Sequence, residues 1–309
     1  MPHAVDLQFQ GLPGVIATAV LPCGDGVVLV DPGPSSCLGA LTRGLERLGV
    51  ALDDVRAVLV THIHLDHAGA CGTLAAALPD LRIFVHELGA THLAAPDRLL
   101  ASVTRLYGSE MDRLWGEFKA VPASALTALT GGERLTIGTR AFDVAYTPGH
   151  AVHHVGYLDV ADRVAYVGDT AGLVVGGYLM APTPPPDIDL EAWERSLGVI
   201  EAWGPSALFL THFGEIGAPA PHLARLRAAL RRAAAVVREG LESGRDEARQ
   251  LADWVEWLRT DAREAASEEA ARLVETAAPF DQGWQGLARY WRKRWQRDAR
   301  AAAGTPPPA

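Results

Sequence analysis

The sequence predicts a layered α/β fold with an α-helical C-terminal appendage, and three observations carry that prediction. Short runs rich in Val, Leu and aromatic residues alternate with helical patterns over the first two thirds of the 309 residues. Gly and Pro punctuate the junctions between them. After about Gly217 the strand-like runs stop, and apolar residues recur at three- and four-residue steps. Sheets covered by helices, followed by a helical region, accommodate all three.

In order, the strand-like runs are GVIATAVL, GVVLVD, VRAVLVTH, RIFVH, AFDVAYT, HVGYLD, RVAYVGD and ALFLTH, each bounded by turn residues. Helical patterns lie at SCLGALTRGLERLG and LEAWERSLGVIEAWG. Between His86 and Leu129, residues such as Leu99, Leu106, Tyr107, Leu114 and Trp115 fall at roughly helical spacing. They predict a helical insertion over about residues 88–129, whose apolar face is either core or the overhang of a pocket. Beyond Gly217, Leu223 to Leu241 form one helical pattern, Leu251 to Leu258 a second, and Leu273 to Trp295 a third. Five of the eight tryptophans lie in this tail, so their stripe must be buried on the α/β body or on a second subunit. The division expected is a body over 1–217, a helical region over 218–303, and a disordered tail over 304–309.

Composition excludes some function classes. A formal charge of −9 disfavours a nucleic-acid partner, which would need a clustered basic surface. The basic stretch RYWRKRWQRDAR reads as the solvated face of a helix. Three cysteines without a repeating spacing fit a reducing compartment. MPHAVDLQFQ lacks a basic region followed by an apolar one, and no apolar run approaches membrane-spanning length. A soluble cytoplasmic protein without a membrane partner is expected.

The chemistry concentrates at strand ends. LVTHIHLDHAGACG places His62, His64, Asp66 and His67 directly after an apolar run. AFDVAY is followed by TPGH and His150, RVAYV by GDT and Asp169, and SALFL by His212. Strands ending on one sheet edge would bring these clusters together, on loops that a rigid sheet positions. Seven imidazole and carboxylate donors suffice for two four- to five-coordinate ions sharing a bridging carboxylate and water. A thiolate-free donor set favours zinc, with iron or manganese as the other metals it admits.

With HxHxDH at residues 62–67, then TPGH, GD and TH in order, the chain resembles the metallo-β-lactamase fold superfamily of metallo-hydrolases over roughly Val5 to Gly217. The resemblance implies a four-layer αββα sandwich with its site at one edge of two sheets. It implies a first metal on His62, His64 and His150, a second on Asp66, His67 and His212, and Asp169 bridging. DPG at Asp31–Gly33 matches an early motif whose Asp is structural. The reaction implied is attack by a metal-bridging hydroxide on an ester, lactone, thioester or similar bond, with Asp66 as the catalytic carboxylate.

Around this set, His154 and its neighbour His153 are candidates to donate to a ligand, and Tyr178 to support a substrate oxyanion. His86 and His92 read as packing or surface residues, and His3 and His222 as surface residues. The last motif is THFG, where glyoxalase II carries a GHEY-type motif, yet a glyoxalase II-like thioesterase stays among the alternatives. A mononuclear iron oxidoreductase of the persulfide-dioxygenase type shares the same motif frame. The expected partner is a small-molecule substrate, and a homodimer through the insertion or the C-terminal helices would also bury their apolar faces.

Overall fold

The computed structural model describes residues 2–303, so the tail expected over 304–309 lies outside the described residues. A first sheet holds, in spatial order, β1 (His3–Asp6), β2 (Ala17–Pro22), β3 (Val27–Val30), β4 (Val55–Leu59), β5 (Arg82–His86) and β6 (Leu126–Leu129). The second sheet is built from β7 (Arg134–Ile137), β8 (Arg140–Tyr146), β9 (Val155–Asp159), β10 (Val164–Tyr166), β13 (Ala207–Leu210) and β14 (Gly214–Ile216). Between β10 and β13 the chain makes a small hairpin, β11 (Leu173–Val175) and β12 (Tyr178–Met180).

Period-two alternation explains the layering. Val28 and Val30 of β3, with Ala57 and Leu59 of β4, share an inter-sheet core with Val164 and Tyr166 of β10 and Phe209 of β13. Their neighbours turn the other way. Leu29 and Val58 meet Leu41 and Leu45 of α1 (Leu38–Arg47) and Leu74 of α3 (Cys71–Ala77), beyond the short α2 (Leu65–Ala68). On the far side, Ala165, Leu208 and Leu210 meet Trp193 and Leu197 of α7 (Leu190–Ala202). Strands apolar on both faces belong inside a four-layer αββα sandwich. Tyr157 stitches the sheets together, donating to the carbonyl of Val60 at 2.8 Å.

The insertion is α-helical only as far as Trp115, in α4 (Glu87–Ala94), α5 (Asp97–Tyr107) and α6 (Met111–Trp115). Its last residues instead form β6, pairing parallel with β5. At the other end come α8 (Pro219–Glu242), α9 (Glu247–Ala265), α10 (Glu268–Ala277) and α11 (Phe280–Ala302). The third sequence pattern thus splits into two helices. Ala278 is extended (φ −143°, ψ 100°) before Pro279, whose ring disfavours helical geometry in the preceding residue.

Of the aromatic stripe of this region, Trp254 and Trp284 are buried within the chain itself and Trp257, Trp291 and Trp295 are half-buried. Trp254, Trp284 and Leu287 share one apolar cluster with Trp193 and Leu208 of the body, and the Trp254 indole donates to the carbonyl of Phe280 at 2.6 Å. Close approach fixes where α11 docks. A Cβ added at Gly286 would stand 1.9 Å from the carbonyl oxygen of Thr183. Gly286→Ala is therefore expected to destabilise the protein by about 1–3 kcal/mol in urea denaturation, although Ala is the better helix former. A stabilised variant would show that the helix is not held at this distance.

Candidate metal centre

Neighbouring parallel strands bring the functional segments to one edge. β3 and β4 run parallel, as do β10 and β13, so their C-terminal ends align. Asp31 follows β3, and the 60–67 segment follows β4. Thr147–His150 follows β8, Gly168–Asp169 follows β10, and Thr211–His212 follows β13. Gly168 adopts φ 43°, and a Cβ there would sit 2.4 Å from Thr61 Oγ1, so Gly lets the Asp169 turn enter the site.

All seven sequence-nominated donors converge. His62, His64 and His150 offer ligand atoms within 4.8 Å of one another, as do Asp66, His67 and His212; a third overlapping group is His62, His67 and Asp169. His64 Nδ1 lies 2.9 Å from His62 Nε2 and 3.1 Å from His150 Nε2. Asp169 stands between the two groups. Its Oδ2 is 3.4 Å from His150 Nε2, and its Oδ1 is 3.3 Å from His67 Nε2 and 3.7 Å from His212 Nε2. Asp66 Oδ2 is 3.2 Å from His212 Nε2 and 3.7 Å from His67 Nε2.

Hydrogen bonds behind the cluster assign the imidazole tautomers. His150 Nδ1–H donates to the carbonyl of Pro182 at 2.9 Å, and His212 Nδ1–H to that of Val15 at 2.7 Å. His67 Nδ1–H donates to Asp31 Oδ2 at 2.8 Å. The Thr61 hydroxyl spends its hydrogen on Asp31 Oδ2, so at 3.1 Å it accepts from His62 Nδ1–H. Each of these four rings in its neutral form thus turns an Nε2 lone pair inward, toward His64 Nδ1 or a carboxylate. His67 Nε2 and Asp169 Oδ1 are buried without a hydrogen-bond partner. Cations between these atoms would remove the repulsion, and the donor set fits a zinc-type ion.

Charge splits the cluster. Burial and neighbouring imidazoles push His62 well below the ordinary histidine value, and burial with His150 takes His64 to about 3. Burial also opposes charge on His67, but Asp66, Asp169 and Asp31 outweigh it and raise that imidazole. His212 is raised against burial by Asp169 and Asp66. Against their own burial, His67 and His212 hold Asp66 at about 2, and His67, His150 and His212 hold Asp169 well below the carboxylate range.

Acid sensitivity follows. His62, His64, His150, His153 and His154 all lie below the unfolded value of 6.5. Below 6.5 the unfolded chain therefore binds more protons at these sites, and their contribution falls with pH toward the folded values. His67 and His212 have the opposite sign, contributing below 6.5 and losing that contribution as pH rises through their raised values. Chelator-treated protein should accordingly lose at least ~2 kcal/mol of unfolding free energy between pH 6.5 and 5. A flat profile in denaturant titrations would contradict this electrostatic picture.

His154 is buried behind His62, stacked at 5.0 Å, with its Nδ1 2.9 Å from Thr147 Oγ1 and its Nε2 unpartnered. His153 Nδ1 accepts from Ile63 N at 3.4 Å. The Tyr178 ring borders the adjoining cavity, while its hydroxyl donates to Asp261 Oδ2 of α9 at 2.5 Å. His86 accepts from Leu88 N as the cap of α4 and stacks on Tyr146. His222 is not a surface residue: it is buried, and its Nε2–H donates to the carbonyl of Ala171 at 2.8 Å. Sequence reading also missed Thr61 and Thr211, which brace Asp31 at 2.7 Å each. Their signal is the Thr directly before His62 and before His212.

Residues 14–212 match the family model for the metallo-beta-lactamase superfamily. The chain is 28% identical over 192 residues to a metallo-beta-lactamase fold-containing protein of Sulfurisphaera tokodaii, covering 59% of this chain and 67% of that one. It is 30% identical over 166 residues to a hydroxyacylglutathione hydrolase of Methylobacterium nodulans, spanning about half (52%) of each chain. A metallo-beta-lactamase family protein from Thermus thermophilus superposes with a TM-score of 0.67 at 22% identity, over 92% of this chain and 89% of that one. With its two sheets, its ordered motifs and a model match over most of the αββα body, the chain belongs to the metallo-beta-lactamase superfamily.

Proposed function

We propose that the protein is a dinuclear metal-dependent hydrolase of a small-molecule ester, lactone or thioester, with zinc as the metal. The observation that carries this reading is the anchoring of four imidazoles: each holds its Nδ1 on a fixed partner and turns its Nε2 inward toward His64 or a carboxylate. His62, His64 and His150 would hold one ion, and Asp66, His67 and His212 the other, with Asp169 shared. Bound there, the ions would supply Lewis acidity and a water acidified toward neutrality. Asp66 remains ionised and 18% exposed at the cavity floor, where it orients the attacking water by accepting its hydrogen. The hydroxyacylglutathione hydrolases among the relatives favour the thioester end of the range.

Chelator treatment followed by zinc addition tests the reading. Hydrolysis of at least one class among carboxylic esters, thioesters and lactones should vanish and return with about two equivalents of zinc. A fully reconstituted protein inert to every class would overturn it, as would one iron per chain with oxygen uptake on a persulfide.

A further inference from the structure

A cavity of about 850 Å³ opens directly onto the cluster, with His64, Asp66 and Asp169 in its wall. That volume lies toward the upper end of small-molecule sites, about 300–1,000 Å³. Three separate parts of the chain build it: α5 and α6 of the insertion, the Met180–Asp187 loop, and the turn-and-helix region of α9 to α11. Tyr107 ties two of these walls together by donating to Gln282 Oε1 at 3.2 Å. Away from the cluster the wall is mainly apolar, with Leu99, Val103 and Leu106 from the insertion and Trp254, Leu258 and Phe280 from the C-terminal helices, while Glu110, Asp187 and Glu275 add negative charge to it.

Its cations are mostly spoken for. Arg113 is held by Glu110 and Gln10, and Arg232 by Asp261 and the face of Trp257. Among the described residues, Arg98 is the lining arginine without a partner, and it is exposed. A phosphate-bearing acyl group, or one carrying carboxylates, would meet Glu110, Asp187 and Glu275 in the same wall, with Arg98 as its one unpaired arginine among the described residues. An apolar acyl group gives up no hydrogen bonds to water on entering and buries surface against both walls.

We infer that this cavity receives a long or bulky apolar acyl group, placing the carbonyl of a lipophilic ester or thioester at Asp66 and Asp169. The inference rests on the hydrolase reading above for the bond that is cut; the acyl site itself rests on the cavity. It assigns the C-terminal helices a role in substrate selection, since Trp254, Leu258 and Phe280 complete the wall.

The experiment uses zinc-loaded full-length protein with p-nitrophenyl esters from acetate to decanoate, and decanoate binding by titration calorimetry. The ratio of kcat/KM for decanoate ester over acetate ester should exceed ~30-fold, each fully buried methylene contributing up to about four-fold. Leu106→Asp, at a position 41% exposed on α5, should cut that ratio at least ~10-fold. Ser102→Trp, which fills the same cavity, should cut it as well. Hydrolysis with a flat or falling chain-length profile would overturn the acyl site and leave the hydrolase reading standing. Decanoate binding that is lost in Leu106→Asp, without hydrolysis of any ester, would overturn the hydrolase reading and support the acyl site. Neither binding nor hydrolysis would overturn both.

Discussion

Asp169→Asn is expected to lower kcat/KM by at least ~10³-fold, because both groups of imidazoles share this carboxylate. Its two oxygens face different groups, at 3.4 Å from His150 and 3.3 Å from His67. An amide keeps the shape but removes the charge, and it turns an N–H₂ toward one of the two sides. Stability should respond far less. Asp169 Oδ1 has no hydrogen-bond partner, so the carboxylate acts on the metal-free fold through its charge beside His67, His150 and His212, which the amide removes. In chelator-treated protein the loss should be about 1–3 kcal/mol by denaturant titration, short of unfolding. A variant that keeps its activity, or one that fails to fold, would contradict this assignment of Asp169 to the reaction rather than to the scaffold.

Asp31→Asn is expected to do the reverse first, destabilising the protein by about 3–5 kcal/mol. Asp31 is fully buried and accepts from Thr61 N at 2.8 Å, Thr61 Oγ1 at 2.7 Å, Thr211 Oγ1 at 2.7 Å and His67 Nδ1 at 2.8 Å. Those donors come from the ends of β4 and β13 and from α2, so one carboxylate joins the two sheets and a candidate ligand. An amide can accept on one atom only, leaving donors facing donors. The lost negative charge beside His67 Nδ1 should also weaken zinc binding by about 10–100-fold. Chemical denaturation and a zinc titration read the two effects separately. Unchanged stability would remove Asp31 from the centre of the scaffold.

The contrast between these aspartates shows what the sequence makes legible. Eight strand-like runs appear as strands, because strands buried on both faces are continuously apolar and stand out. The shorter edge elements escape: LTAL and RLTI carry polar residues on one face, and the strands of the LVV–GG–YLM hairpin are too short to stand out despite its Gly-Gly turn signal. The seven candidate ligands were legible because each follows an apolar run at a strand end, where the fold sets direction. His222 was not, since only the carbonyl of Ala171 across the tertiary contact explains its burial. The cavity was half legible. The aromatic stripe beyond Gly217 announces buried tryptophans, but nothing local shows that Trp254 and Phe280 face the same space as Leu106.

Zinc titration of chelator-treated protein by calorimetry tests the dinuclear centre most directly. His67 and His212, raised by their carboxylate neighbours, must lose protons when they ligate. The account predicts two ions per chain at saturation, with more protons released as the pH is lowered toward 6.5. Saturation at one ion per chain or none, or binding without proton release, would contradict it.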